Sequence, residues 1–317
     1  MQLFKLKKEA LSPLAKEPFQ LEKDIQNLIE SNLRDLFDLE FVASEFSIGN
    51  FRLDTLAYDE QSNAFVVIEY KKGSSYSVID QGYSYLSTML NNKAEFILEF
   101  NERMDTNLKR SEVDWTSSRI LFVSPSFNNY QKNSVNFKDV PFELWEIRKF
   151  EGGLIALEQH QAASNESINA LSNGKAHSVI SKVSAEVKQV SEEQMVAKLS
   201  ESLHPVWQTF RERLSDYPDT VFYTTRKYVG FKKDSKVVAF ITLQKNQIRV
   251  DVLRGSKSKE GELSKGFFHL DDPKGLAEER DWTWKSGATG HEYRIGLKDL
   301  DDLDYVMYLL NQEYESI

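Results

Sequence analysis

Cysteine is absent from the 317 residues. This excludes disulfides and thiolate metal sites and makes a reducing cytoplasm the simplest compartment. Histidine is sparse. His160, His177, His204, His269 and His291 are scattered with no metal-ligand spacing between any two, so no zinc centre is expected. There is no glycine-rich phosphate loop of the Walker or dinucleotide type, and no Gly-x-Ser-x-Gly elbow for a serine hydrolase. Long apolar runs are missing too: Phe65–Ile68 falls far short of the roughly 20 residues needed to span a bilayer. The opening MQLFKLKKEALSPLAKEPF scatters charges among its apolar residues and does not read as a signal peptide. A soluble, cytoplasmic protein with no membrane role is therefore expected. Positive charge is also in deficit. The net charge is −9, with −6 in residues 1–157 and −3 in the remainder, so neither half can coat nucleic acid non-specifically. A local basic groove is still compatible with that balance.

What is present suffices for two domains: 40% hydrophobic and 12% aromatic residues in a chain about twice the usual domain length. Between His160 and Gln194 the chain is rich in Ser, Ala, Asn, Gln and Lys and has no aromatic residue. Such a composition cannot close a core and reads as a linker. The organisation expected is a domain over 1–158, a linker over 159–194 and a second domain over 195–317.

The first domain opens on a predicted helix from about Phe19 to Phe37, with Leu21, Ile25, Leu28, Ile29, Leu33 and Leu36 on one face. Three extended runs follow, Phe41–Ile48, Phe51–Tyr58 and Ala64–Lys71. Gly49-Asn50 and Asp59–Asn63 separate them as hairpin turns. A helix from about Ser75 to Phe100, a strand Arg119–Pro125, a short helix and the strand pair FELWEIRKF and LIALEQ complete the domain, a mixed-sheet α/β pattern. The second domain reads as α+β with an antiparallel sheet: a helix near 192–214, four strands, and a closing helix near Lys298–Tyr314.

Chemistry concentrates in AFVVIEYKK. Glu69 and Lys71 lie two apart on a strand and so project to the same face. Pairing through the Asp59–Asn63 turn brings Asp54 of the preceding strand close to Glu69. Two neighbouring carboxylates repel unless a cation bridges them or one is protonated. A hard divalent ion such as Mg²⁺ (or Mn²⁺) relieves this and prefers oxygen ligands. Carboxylates, a metal and an ammonium group together suit phosphodiester hydrolysis. Lys72 points to the opposite face from Lys71 and, with Ser75, could contact phosphate at the mouth of a groove.

RLDTLAYDEQSNAFVVIEYKK resembles the Asp…Glu-x-Lys core of the PD-(D/E)XK nuclease superfamily, within the restriction-endonuclease-like fold. The order helix, three strands, helix, strand matches that superfamily's common core over roughly residues 18–125. The strict Pro-Asp dipeptide is missing, since Leu53 precedes Asp54. In DQGYSYL, Gln81 and Tyr85 share a helical face and resemble the Gln-x-x-x-Tyr element of RecB-like and NucS-like nucleases. The resemblance implies Asp54 and Glu69 as metal ligands, Lys71 and Gln81 as catalytic groups, and Tyr85 beside the DNA. It also implies one more carboxylate on the first helix. Glu22, Asp24 and Glu30 compete for that place, and the helical wheel favours Glu22, about 40° from the centre of the apolar stripe.

In the second domain Lys227, Lys232 and Lys233 interleave with Tyr223, Tyr228 and Phe231, with Arg226, Trp282 and Trp284 nearby. Solvent-facing charges over core aromatics are the simpler reading of that pattern. AFITLQKNQIRVDV ahead of LDDLDYVMYLLNQEY resembles a bacterial domain of unknown function attached to such nuclease cores and loosely labelled a predicted transport protein. The expected function is a metal-dependent DNA nuclease in repair or defence against foreign DNA. Its acidic balance implies a narrow groove, completed by a second copy in a homodimer. The alternatives are a catalytically silent nuclease fold that binds nucleic acid or nucleotide, and a cytoplasmic accessory protein.

Overall fold

Ile25, Ile29 and Leu33 recur at four-residue steps, and all three are buried. That stripe covers one face of a sheet in the computed structural model, which describes residues 2–72, 78–135, 140–160, 183, 186–187, 191–225, 227–233, 236–258, 261–264, 267–283 and 289–317. Ser75, Arg226, Trp284 and most of the expected linker lie outside the described residues. The chain divides into two compact units, residues 1–103 with 109–188, and residues 104–108 with 189–317.

In the first unit, an exposed hairpin of β1 (Phe4–Lys7) and β2 (Ala10–Pro13) precedes the short β3 (Lys16–Glu17). Helix α1 (Glu22–Glu30) follows, started by the Asp24 carboxylate, which accepts the Gln20 and Leu21 backbone N–H groups at 3.1 and 2.8 Å. The single helix expected to Phe37 is two: α1 ends at Ser31 and α2 spans Leu33–Phe37. Asp38, in the left-handed region at φ 55°, stops α2.

Strands β4 (Glu40–Ile48), β5 (Phe51–Asp59) and β6 (Ala64–Tyr70) form the two expected hairpins. Asp59 Oδ1 accepts from the Gln61 and Ser62 N–H groups at 3.0 and 2.9 Å, and Asn63 takes φ 53°. This side-chain turn sets the β5–β6 register. Beyond it run α3 (Val78–Asn91), α4 (Lys93–Met104), β7 (Arg119–Ser124), α5 (Asn129–Ser134), β8 (Phe142–Phe150) and β9 (Leu154–His160). The helix expected over 75–100 thus breaks at Asn92, whose side chain caps back onto the Thr88 carbonyl at 2.7 Å.

β6, β7 and β8 are parallel neighbours, and the sheet order is β3-β8-β7-β6-β5-β4 with β9 on β8. α1 and α2 cover one face through Ile25, Ile29, Phe37, Ala57, Ile68, Val123 and Trp145. The other face carries Phe65, Phe122 and Phe142, in ring contact with Phe96 of α4 and Tyr83 of α3. At Gly82 of α3 a Cβ would lie 2.6 Å from the Phe142 ring, so α3 packs close only because that side chain is missing. We expect Gly82→Ala to destabilise by about 1–3 kcal/mol through overpacking, read as a lower urea midpoint with the slope unchanged.

The second unit starts with α6 (Glu192–Val196) and α7 (His204–Ser215), again two helices where one was expected. Its sheet is antiparallel throughout: β10 (Thr220–Thr224), β11 (Val229–Lys233), β12 (Lys236–Gln244), β13 (Gln247–Lys257), β14 (Glu278–Thr283) and β15 (Thr289–Leu297), in the order β10-β11-β12-β13-β15-β14. The last two strands were not legible in the sequence. α7 and α8 (Leu303–Ser316) pack on it through Trp207, Phe210, Val306 and Leu310. The fold class is mixed-sheet α/β in the first unit and α+β with an antiparallel sheet in the second. The lysines of β11 are engaged within the unit: Lys232 lies 4.6 Å over the Tyr223 ring of β10, and Lys233 donates to the Tyr314 and Ile317 carbonyls at the C-terminal end of α8. No helix among the described residues is long and apolar enough to cross a membrane.

Candidate active site

The β5–β6 ladder pairs Tyr58 with Phe65, Ala57 with Val66, Leu56 with Val67 and Thr55 with Ile68. One step further along the same antiparallel register stand Asp54 and Glu69, on the face covered by α3. Lys71, two residues beyond Glu69, keeps to that face. Its Nζ donates to Glu69 Oε1 at 2.7 Å, and so does Gln81 Nε2 of α3, also at 2.7 Å. Gln81 Nε2 further donates to the Tyr85 hydroxyl at 2.9 Å, one helical turn on. The Tyr85 ring meets Phe51 edge-on at 6.1 Å between centroids. Asp54 is held from the backbone: the Tyr70 N–H donates to its Oδ2 at 3.0 Å. The structure thus brings Asp54, Glu69, Lys71, Gln81 and Tyr85 together.

Glu22 and Lys72 are placed differently. Glu22 Oε1 accepts the Lys72 backbone N–H at 2.8 Å, which pins the end of β6 to the start of α1. The Lys72 ammonium is on the Gln20 carbonyl. Neither side chain touches the Asp54–Glu69 pair in this arrangement, although the Glu22 charge still bears on Asp54 and Lys71. Glu45, held at φ 54°, pairs with Lys23 and Arg52 at 3.1 and 2.9 Å rather than with the site.

Sequence reasoning missed the layer beneath. Gln26 of α1 is only 4% exposed. Its Nε2 lies 2.8 Å from the Asp54 carbonyl, 2.9 Å from Glu30 Oε1 and 3.1 Å from Ser44 Oγ. Thr55 Oγ1 donates to Glu30 Oε1 at 2.6 Å and lies 3.0 Å from the Tyr70 hydroxyl. The available signal was a glutamine beside Ile25, inside the apolar stripe, where a polar group needs partners.

Electrostatically the site is strained by its own anions. Burial pushes the Asp54 carboxyl above the ordinary carboxylate range, against the pull of the Tyr70 N–H. Burial and the Asp54 charge do the same to Glu69, opposed by Lys71. For Lys71, burial works against the ammonium, but the bond to Glu69 and the nearby carboxylates outweigh it and leave its pKa raised. Lys71 is therefore an ammonium ion at neutral pH and serves as the counter-charge to Glu69. Burial, and then the Glu69 charge, push the Tyr85 phenol up to about 12.

Among the described residues no group of three or more His, Asp or Glu side chains is gathered tightly enough to hold a metal ion. The Asp54–Glu69 pair nevertheless fits a hard divalent ion. Its donors are all oxygens, and Glu69 Oε2, in a residue 3% exposed, meets no donor in hydrogen-bond geometry, although the nearby Tyr85 hydroxyl helps to hold the carboxylate charged. A buried orphan carboxylate oxygen is costly unless something cationic meets it.

No protein-family model matches the sequence. A Haemophilus influenzae protein described only as an uncharacterized protein is 38% identical over 316 residues, which span 98% of this chain and 99% of that one. Among solved structures, the EndoMS chain of an EndoMS–dsDNA2 complex is 16% identical at a TM-score of 0.29, over 46% of this chain and 64% of that one. A repair endonuclease from Pyrococcus abyssi is 18% identical at 0.24, over the same shares. SfsA from Pyrococcus furiosus, in complex with Ca²⁺, is 14% identical at 0.24, over 43% and 60%. The chain thus spans less than two thirds of each of these solved chains.

Proposed function

The chain belongs to one family with that Haemophilus influenzae protein, and we propose that it is a divalent-metal-dependent DNA nuclease of the PD-(D/E)XK type. The observation that carries this reading is the orphaned, buried Glu69 Oε2 beside Asp54, with Lys71 on the other Glu69 oxygen. Asp54 and Glu69 would hold Mg²⁺ or Mn²⁺. Glu22, with Oε1 on the Lys72 N–H, would have to join them through its other oxygen or release that bond. When bound, such an ion supplies Lewis-acid stabilisation of charge developing on phosphate and lowers the pKa of a coordinated water.

The chain's own residues do the rest. The Tyr70 N–H fixes the rotation of the Asp54 carboxylate. Gln81, bonded to Glu69 and to Tyr85, orients Glu69 from α3. Lys71, an ammonium donor on the same face, stabilises negative charge on a phosphate oxygen or positions the attacking water. Phe51, exposed and seated edge-on against the buried Tyr85 ring, offers an aromatic surface beside the site, suited to a sugar or a base. A second copy of the chain completes the groove in this reading. Size-exclusion chromatography with light scattering, with and without DNA, would rule out that part if only monomers appear.

The deciding experiment incubates the protein with plasmid, linear, branched and single-stranded DNA in Mg²⁺ or Mn²⁺, beside EDTA controls. We expect metal-dependent cutting of at least one substrate. Binding without cutting on all four would move the protein to a recognition role. Tyr85→Phe removes one of the two acceptors of Gln81 but leaves the ring, so cleavage should fall only several-fold, seen as a lower single-turnover rate at unchanged DNA affinity.

A further inference from the structure

We infer that Gln26 is a positioning residue for Asp54, and that the metal affinity of the site is set from the opposite face of the sheet, by α1. The inference rests on the metal-site reading above and extends it to residues that touch neither metal nor substrate. Asp54 is anchored at three points. Its carbonyl accepts from Gln26 Nε2 at 2.8 Å. Its carboxylate accepts from the Tyr70 N–H at 3.0 Å. Its neighbour Thr55, fully buried, is bound to Glu30 of α1 and lies within hydrogen-bond distance of the Tyr70 hydroxyl.

The last two points share Tyr70, whose hydroxyl is on the α1 face and whose backbone N–H reaches Asp54. Gln26 and Glu30 lie four residues apart on α1 and bond each other at 2.9 Å, so one helical face grips β5 directly and reaches β6 through the Thr55–Tyr70 hydroxyl contact. Asp54 and Glu69 repel each other, and burial raises the cost of that repulsion. Without the clamp, the first residues of β5, which lie beyond the paired part of the hairpin, would relax outward and separate the two carboxylates. The Ser44 hydroxyl, 3.1 Å from Gln26 Nε2, extends the grip to β4. The buried glutamine has its amide nitrogen partnered inside an apolar stripe, and one of those partners is the Asp54 carbonyl.

Gln26→Met keeps the length and removes the donor. Thr55→Val removes the second arm at constant shape and serves if Gln26→Met does not fold. Three readouts are taken on the full-length protein. In the metal-free protein, the tyrosine-70 amide should exchange about tenfold faster relative to the Leu121 amide on β7, because its acceptor has moved. The Asp54 carboxyl, followed by carbon NMR against pH, should titrate higher once it loses the Tyr70 N–H that holds it down. The Mn²⁺ dissociation constant from isothermal titration should rise about tenfold, the usual cost of losing an outer-shell partner. A residue with only a packing role would lower the melting temperature and leave the Tyr70-to-Leu121 exchange ratio and the Asp54 titration unchanged, and that result would overturn the inference. Absence of Mn²⁺ binding by the wild type would instead count against the metal-site reading, while the exchange and titration data would still decide whether Gln26 positions Asp54.

Discussion

Lys71→Ala and Asp54→Ala should each lower single-turnover DNA cleavage in Mn²⁺ by about 10³-fold, on the order of 4 kcal/mol of transition-state stabilisation. The two losses should have different origins. Asp54→Ala removes one of the two proposed metal oxygens, so Mn²⁺ affinity should fall with the rate. Lys71→Ala leaves both oxygens in place, and Mn²⁺ should still bind while cutting is lost. Removing the ammonium also leaves Glu69 without the partner at 2.7 Å that holds its charge, which gives a metal ion more to neutralise. Lys71→Arg should not restore activity, because a planar guanidinium cannot occupy the place of a compact point charge. Cleavage by Lys71→Ala at the wild-type rate would remove this residue from the proposal. Equal cleavage by Asp54→Ala would remove the site.

A second large effect is expected in stability rather than rate. Asp54 and Glu69 are both pushed above the ordinary carboxylate range, Asp54 chiefly by burial with help from the Glu45 and Glu22 charges, Glu69 by burial and the Asp54 charge. For a carboxyl group whose folded pKa is raised, the contribution to stability is complete below its unfolded value and is lost as the pH rises through the folded one. The metal-free protein therefore carries a penalty at neutral and alkaline pH that is absent in acid. Asp54→Asn relieves it, and in EDTA at pH 8 the first unfolding transition should rise by about 2–4 °C, roughly 1 kcal/mol. At a pH below the ordinary carboxylate range the difference should vanish. In the wild type, Mn²⁺ at about 100 times its dissociation constant should add about 2.7 kcal/mol. Asp54→Asn should lose most of that gain. A variant that is both more stable without metal and inactive with it would mark Asp54 as a residue kept for function at a cost to the fold. Equal melting of the two proteins across the pH range in EDTA would sink this account of the Asp54 charge.

The legibility of the site followed from short-range geometry. Glu69 and Lys71 share a strand face because strand side chains alternate. Gln81 and Tyr85 meet because residues four apart on a helix are neighbours, and they are bonded at 2.9 Å. Asp54 stands opposite Glu69 because the Asp59–Asn63 turn sets the register, which the Asp59 side chain enforces locally. Glu22 was harder to read. The helical wheel placed it on the flank of the apolar stripe, but not at its height along the sheet, and its carboxylate caps the Lys72 N–H instead of joining Asp54 and Glu69. Helix ends were misjudged for a related reason: the apolar periodicity runs on through Asn32 and Asn92, while the backbone breaks there.

Local order was thus determined by the sequence itself: the strand faces, the hairpin turns, the Gln81–Tyr85 pair and the lack of any cysteine. Only the tertiary structure decided which buried polar groups serve them. Gln26, Glu30, Thr55 and Tyr70 are separated by up to 44 positions, and their convergence on Asp54 depends on how α1 lies across β4, β5 and β6. Periodicity says which side of an element is apolar. It does not say which partner a polar atom finds once that side is covered, because that partner comes from another element and its distance is set by packing.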